Sequence, residues 1–491
     1  MVLEQRRLVA ASAKKSGPVG GARLKKFRTL FLNISYTVSS NLLTLIVSTV
    51  VTLFLPKLLG IEAYGYFQLY VFYVSYVGFL HFGWCDGIYL KYGGERYDTL
   101  DKATFSGQFY ALLISQTLIT LAFVLAIVLF GGSSGEKELV LLASALNIVI
   151  LNMRTFSTFV LQATNRMKDF SVITILDRLV YVILVIGLLA FRVARFEYYI
   201  AADMIGKLVS LIVSFVKIKS IAFPKKTGIA WDKTEAIDNV RVGINLMFAN
   251  IASTLILGIV RFGIQTQWSV AVFGKISLTL SISNLLMVFV NAVSLAIFPL
   301  LKRVKESEYA RIYPIVRSII MPLVLAALLC YYPLNIILVK WLPNYADSLR
   351  YMAIVFPMVV FESKVSLLTN TYLKALRKER KIFQVNLMSA LLSLISTLVL
   401  VFGLKSLFLS MLSIVLLLAF RSSYAEMILA RYIDITIYQD MAVEFLLVGA
   451  FIVTSWHLSM AVGAIIYSIL LAGYFIWKRH DFVQIRQLIK S

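Results

Sequence analysis

Between Arg28 and Lys57 the chain carries no charged residue, a run longer than the ~20 residues a helix needs to cross the hydrocarbon core of a bilayer. The pattern recurs to the C-terminus, with apolar stretches set apart by short polar, basic or glycine-containing breaks. It predicts an all-α polytopic membrane protein with about fourteen transmembrane helices, near 31–56, 66–90, 104–130, 138–162, 170–191, 197–218, 240–262, 270–300, 312–333, 346–372, 382–403, 405–429, 437–456 and 459–477. Only Gly403–Lys405 divides the eleventh from the twelfth.

The basic residues support this division. If the N-terminus is cytoplasmic, the cytoplasmic segments hold 34 Lys and Arg, whereas the opposite loops hold seven: Lys57, Lys137, Arg192, Arg195, Arg261, Lys340 and Lys405. Membrane proteins retain basic loops on the cytoplasmic side, and a missed span would invert the bias for everything after it. Both termini are therefore expected to be cytoplasmic. The first 28 residues are too long and mixed for a simple signal-peptide n-region, so the first apolar run is expected to remain as a span.

The chain also repeats itself. The first span ends in "PKLLGIEAYGYFQL" and the seventh in "VRFGIQTQWSVAVFGKISL", pairing Gly60 with Gly263 and Gly65 with Gly274. "LQATNRMKDF" (161–170) leads from span 4 to span 5 as "LKALRKERKIF" (373–383) leads from span 10 to span 11. The expected organisation is a basic N-terminal segment (1–30), an N-lobe of spans 1–6 (31–218), a connector (219–239), a C-lobe of spans 7–12 (240–429), and spans 13–14 with a cytoplasmic tail (430–491). Two lobes around a central cavity suit alternating access by rocking.

The stretch "SNLLTLIVSTVVTLFLPKLLGIEAYGYFQL", with its polar-dotted first span and basic-Leu-Leu-Gly-x-x-x-Tyr-Gly corner, resembles the opening of the polysaccharide and O-antigen flippases. "LQATNRMKDF" is similar to that family's loop after span 4. Their superfamily also holds lipid II flippases and multidrug and toxic compound extrusion transporters. The resemblance extends loosely over the whole chain and implies translocation of an undecaprenyl-pyrophosphate-linked oligosaccharide across the bacterial cytoplasmic (inner) membrane, for O-antigen, capsule or exopolysaccharide synthesis. "FGWCDGIYLKYGG" (82–94) departs from it, carrying bulky and charged residues where smaller ones are expected.

Composition agrees with a membrane protein. The 491 residues are 60% hydrophobic and 15% charged, with a mean hydropathy of +0.84, against about 45–50% and ~25% in soluble domains. The net charge of +23 follows from the loop bias and does not call for a nucleic-acid partner. Two dispersed cysteines and three dispersed histidines form no disulfide framework or metal motif.

Candidate chemistry lies in bases within the spans, which are costly there and mark polar paths. Lys275, Arg317 and Arg350 lie near span ends and are read as snorkelling. Arg154, Arg178, Lys207 and Lys364 lie roughly 12–17 Å from the cytoplasmic ends of four different helices at 1.5 Å per residue. They are the candidate substrate-binding residues of a cationic cavity for a pyrophosphate and acidic sugars, Arg by bidentate hydrogen bonds and Lys as a point charge. The competing reading is local pairing: Asp203 with Lys207 four residues on, Asp177 with an Arg across helices, Glu362 near Lys364. Asp177, Asp203 and Glu362 are also candidates for coupling transport to a proton or sodium gradient.

No catalytic residue, metal or cofactor is expected. A membrane glycosyltransferase, polymerase or ligase would need a sizeable functional loop, and every outer loop is short. A drug/cation antiporter would want an acidic cavity, and a lipid II flippase stays open as a third reading. Expected partners are the lipid-linked glycan, membrane lipids, and a polysaccharide polymerase and glycosyltransferases.

Overall fold

The computed structural model describes residues 45–131, 135–224, 228–301 and 304–479. The basic N-terminal segment, the first part of the first span and the end of the C-terminal tail lie outside the described residues. All regular structure among the described residues is helical: α1 (Leu45–Leu59), α2 (Ile61–Val77), α3 (Trp84–Lys91), α4 (Lys102–Phe130), α5 (Gly135–Ala163), α6 (Met167–Ala190), α7 (Phe196–Lys217), α8 (Lys233–Gln267), α9 (Val270–Leu301), α10 (Glu306–Trp341), α11 (Met352–Ala375), α12 (Glu379–Gly403), α13 (Leu407–Ile433), α14 (Tyr438–His457) and α15 (Met460–Trp477).

Twelve of these, α4 to α15, are long and apolar enough to cross a membrane. They coincide one for one with the third to fourteenth predicted spans. The second predicted span is broken: a 3₁₀ turn over Gly78–His81 and positive φ at Phe82 (52°) and Gly83 (80°) separate α2 from α3. The segment that departs from the family pattern thus forms its own short helix. Among the described residues twelve helices are long and apolar enough to cross; α1 starts at the edge of the described residues and the second predicted span is the broken α2–α3 pair.

Local chemistry sets the helix ends. Asp101 caps α4 by accepting from the Ala103 and Thr104 amides at 3.0 and 3.4 Å; the Thr104 hydroxyl beside it holds its carboxyl below the usual carboxylate range. Asp232 and Ser406 cap α8 and α13 in the same way. Residues in the left-handed region end helices where glycine is absent. Asn165 (φ 58°) and Arg377 (φ 54°) occupy matching places in the two similar loops. The next amide donates back five residues in each, Arg166 to Leu161 and Lys378 to Leu373, both at 2.8 Å. Arg192 and Lys405, also at positive φ, follow α6 and α12. The repeated loops therefore share one turn geometry.

The Gly60–Gly263 pairing does not survive as a shared hinge. Gly60 breaks the chain between α1 and α2 at φ 75°, while Gly263 lies inside α8, buried against Thr397 and Val401. The helix runs on to Gln267, and the turn falls at Trp268 and Ser269.

Gly65 and Gly274 do pair, in space. A Cβ on Gly274 would lie 2.6 Å from the Gly65 Cα, and one on Gly65 would strike the Val270 backbone, so α2 and α9 approach closer than any side chain allows. Nearby, the Trp341 indole donates to the Leu53 carbonyl at 2.8 Å, the Tyr345 hydroxyl donates to the Gly60 carbonyl at 3.1 Å, and the Lys57 ammonium sits 3.4 Å from the centre of the Trp341 ring. These contacts seal the two halves at the end without the basic excess, here called the outer end. A second close seam joins α3 to the start of α8. A Cβ on Gly83 would fall 2.7 Å from the Ile244 nitrogen, one on Gly243 would fall 2.9 Å from the Asp86 carbonyl carbon, and Gly87 abuts Asn239.

Bulk at Gly274 should pry the outer seal open. With a reporter cysteine at Gln68, one turn inward of Gly65, we expect Gly274→Val to increase labelling by an impermeant thiol reagent added from the outer side several-fold. Equal labelling with and without Gly274→Val would exclude this contact as the seal.

Candidate anion-binding cavity

A cavity of about 500 Å³ lies between the halves, walled by α1, α2, α5, α6, α7 and α9. Three of the four predicted bases line it: Arg154 from α5, Arg178 from α6 and Lys207 from α7. Counted from Ala163, Met167 and Lys217, they share a depth of roughly 13–16 Å at 1.5 Å per residue. The N-terminal half supplies every ionisable group in the wall, while α9 contributes the neutral Ser281 and Asn284.

Two of the bases are paired. Arg154 Nη1 lies 2.9 Å from Asp177 Oδ2, across from α5 to α6. Lys207 is salt-bridged to Asp203 one turn before it on α7. The Tyr70 hydroxyl of α2 donates to the same Asp203 oxygen at 2.6 Å and accepts from Asn147 Nδ2 at 3.1 Å. Arg178 lines the cavity without a carboxylate or hydrogen-bond partner among the described residues. Three bases against Asp177 and Asp203 leave one net positive charge, carried by a guanidinium able to grip two oxygens at once. An Arg that faces a cavity with no carboxylate partner among the described residues is suited to an anion that comes and goes.

Lys364 does not belong to this wall. It lies at the start of a π-helical turn, Lys364–Thr369, within α11 and is 1% exposed. Its ammonium meets Glu426 of α13 at 2.7 Å and Glu444 of α14 at 2.9 Å. Arg317 of α10 joins the cluster through Nε to Glu426 and Nη2 to Glu444, both at 2.7 Å, and Nη1 to Asp440 at 2.9 Å; Lys478 pairs with Asp440 at 2.8 Å. The Tyr313 hydroxyl donates to Glu426 at 2.7 Å. The expectation that Arg317 snorkels to the surface is thus overturned, because three carboxylates hold it in the interior. Lys364, expected in the cationic cavity, instead pairs with carboxylates of α13 and α14 away from it. Glu362 pairs with Arg421 at 2.8 Å rather than with Lys364, and Arg421 also donates to Asn386 and Ser253. Glu426 and Glu444, acids inside the twelfth and thirteenth predicted spans, were the sequence signal for this cluster. Among the described residues no group of His, Cys, Asp and Glu could hold a metal ion.

Three solved structures share this architecture. The lipid II flippase MurJ in an inward closed conformation aligns with a TM-score of 0.61 and 13% identity, over 92% of this chain and 99% of that one. A multidrug resistance MATE family transporter of the MOP superfamily aligns at 0.58 and 13% in its inward-facing conformation, over 84% and 95%. Its outward-facing conformation aligns at 0.54 and 14%, over 82% and 95%. The molecule is therefore a multi-pass helical membrane protein with the fold of the MATE and MurJ transporters. Residues 30–305 match the family described as "Polysaccharide biosynthesis protein", and the chain belongs to that family. No curated protein matches it.

Proposed function

We propose that this protein is a flippase that moves an undecaprenyl-pyrophosphate-linked oligosaccharide across the bacterial cytoplasmic membrane by alternating access, for a surface polysaccharide. The observation that carries the reading is Arg178, without a carboxylate partner among the described residues, in a net-cationic cavity between two halves, beneath an outer end already sealed at Gly65 and Gly274. A pyrophosphate offers the oxygens such a guanidinium binds. The loop bias supports a cytoplasmic position for the opposite, basic end and for both termini; there the lipid-linked substrate would be loaded by glycosyltransferases and, after crossing, handed to a polymerase. Separation of α2 from α9 would release it on the outer side.

Asp177 and Asp203 fit a coupling role as well as a structural one, since protonation or cation binding at either would free Arg154 or Lys207 for the substrate. Glu362 stands outside the cavity wall. The drug/cation reading has less support, because both cavity acids already hold a base.

The test is flux in proteoliposomes containing a fluorescent undecaprenyl-pyrophosphate oligosaccharide, lipid II or a cationic dye. We expect the oligosaccharide to flip at least tenfold faster than in protein-free vesicles and the dye not to move. Dye movement without glycan flipping would overturn the proposal, and flipping of lipid II alone would reassign the cargo.

A further inference from the structure

A second basic pocket, of about 670 Å³, opens at the basic end of the N-terminal half, away from the central cavity. It forms where three segments far apart in sequence converge: the loop before α4, the turn between α5 and α6, and the end of α7. Arg96, Arg166, Lys217 and Lys219 line it against the single acid Asp98. Asp169 engages Arg166 at 2.7 Å and Lys217 at 2.8 Å. It holds those two bases in place, and the Arg166 guanidinium stacks 4.6 Å from the centre of the Tyr97 ring. No carboxylate lies within salt-bridge distance of Arg96 or Lys219 among the described residues. The Ser220 and Tyr97 hydroxyls, 2.9 Å apart, stand beside them. Two held bases and two free ones around hydroxyls make a cradle for a phosphate group.

The pocket has an apolar approach. Ile205, Leu208, Ile212 and Val216 are exposed along α7 at spacings of three and four residues, and Val216 itself lines the pocket. Such spacing makes one continuous stripe on a helix. From Ile205 to Val216 it runs roughly 16 Å at 1.5 Å per residue, close to half the ~30 Å hydrocarbon thickness. A phosphate cradle at the basic rim, continued by an apolar track one leaflet long, matches the two ends of a single amphiphile.

We propose that this pocket binds the headgroup of an anionic glycerophospholipid of the cytoplasmic leaflet, with an acyl chain along the α7 stripe. The lipid would tie together the basic-end termini of α4, α5, α6 and α7. These helices include all three that present cavity bases, so the site would brace the scaffold of the cavity without being part of it.

The test is native mass spectrometry of the full chain in detergent, supplied with phosphatidylglycerol or phosphatidylcholine of identical acyl chains, with glycerol phosphate as a soluble competitor. We expect phosphatidylglycerol to be retained at least tenfold more than phosphatidylcholine. Arg96→Gln with Lys219→Gln should abolish that preference, and Arg377→Gln with Lys381→Gln, the same charge loss in the other half, should leave it intact. Glycerol phosphate should not compete at equal concentration. Equal retention of the two lipids, or equal loss of preference in the two double variants, would overturn the site. Competition by glycerol phosphate as strong as that of the lipid would assign the pocket to a soluble phosphate and overturn the lipid assignment. Thermal unfolding of each variant in lipid-free detergent, expected unchanged, separates lost binding from lost fold.

Discussion

Arg178→Ala should reduce binding of the pyrophosphate-linked glycan roughly 10- to 150-fold while leaving thermal stability unchanged. The estimate follows from hydrogen bonds to charged groups, worth about 1.5–3 kcal/mol, at 1.4 kcal/mol per tenfold in affinity. Among the described residues Arg178 has no carboxylate partner that its removal would orphan, so the loss should be confined to the ligand. Arg178→Lys should retain part of the affinity through charge alone, and Arg178→Glu, which turns the cavity's net charge from +1 to −1 on the groups lining it, should abolish binding. The measurement is equilibrium binding of the labelled glycan to purified protein, alongside a melting curve. Arg154 gives the contrast. Its removal leaves Asp177, 1% exposed, without its base, so Arg154→Ala should lower stability as well as affinity. Arg154→Ala with Asp177→Ala should restore stability and not affinity. If Arg178→Ala binds the glycan as tightly as the parent, the assignment of the cavity fails.

The second large effect is structural. Lys364→Met should destabilise the protein by about 3–5 kcal/mol, the usual cost of removing one member of a buried ion pair. Glu426 and Glu444 are fully buried and would be left sharing the single base Arg317 among the described residues. The same cost is expected for Glu426→Gln, which deprives Arg317, Lys364 and Tyr313 of a shared acceptor. Because the cluster draws on α10, α11, α13 and α14 and reaches Lys478 beyond α15, both variants should loosen α14 and α15 first, read as hydrogen exchange rising there before it rises in α5 to α7. Wild-type melting of Lys364→Met, with loss of glycan binding instead, would return Lys364 to the list of substrate ligands.

These two bases show what the sequence could and could not say. Apolar runs located the twelve crossing-length helices among the described residues because bilayer thickness fixes helix length whatever the tertiary fold. The turns at Asn165 and Arg377 were readable because the same local chemistry sets both. Depth along a helix could also be counted, and Arg154, Arg178, Lys207 and Lys364 do lie at similar depths. The direction a side chain faces could not be. Each residue rotates the helix face by about a quarter turn, and the π turn beginning at Lys364 shifts that rotation further. Depth alone therefore placed Lys364 with the cavity bases, whereas its azimuth turns it toward α13 and α14. The acids that receive it were legible as carboxylates inside two predicted spans.

The seam of Gly83, Gly87 and Gly243 has a different status from the contact of Gly65 with Gly274. A protein that exchanges between two shapes responds to a change only through the difference it makes between them. If the α3–α8 seam persists as the axis on which the halves turn, added bulk at Gly87 raises the free energy of both shapes alike. It weakens the molecule without favouring either. Bulk at Gly274 acts on one shape alone and shifts the populations. Two sets of glycines that look alike in packing would then separate by experiment into a bearing and a latch.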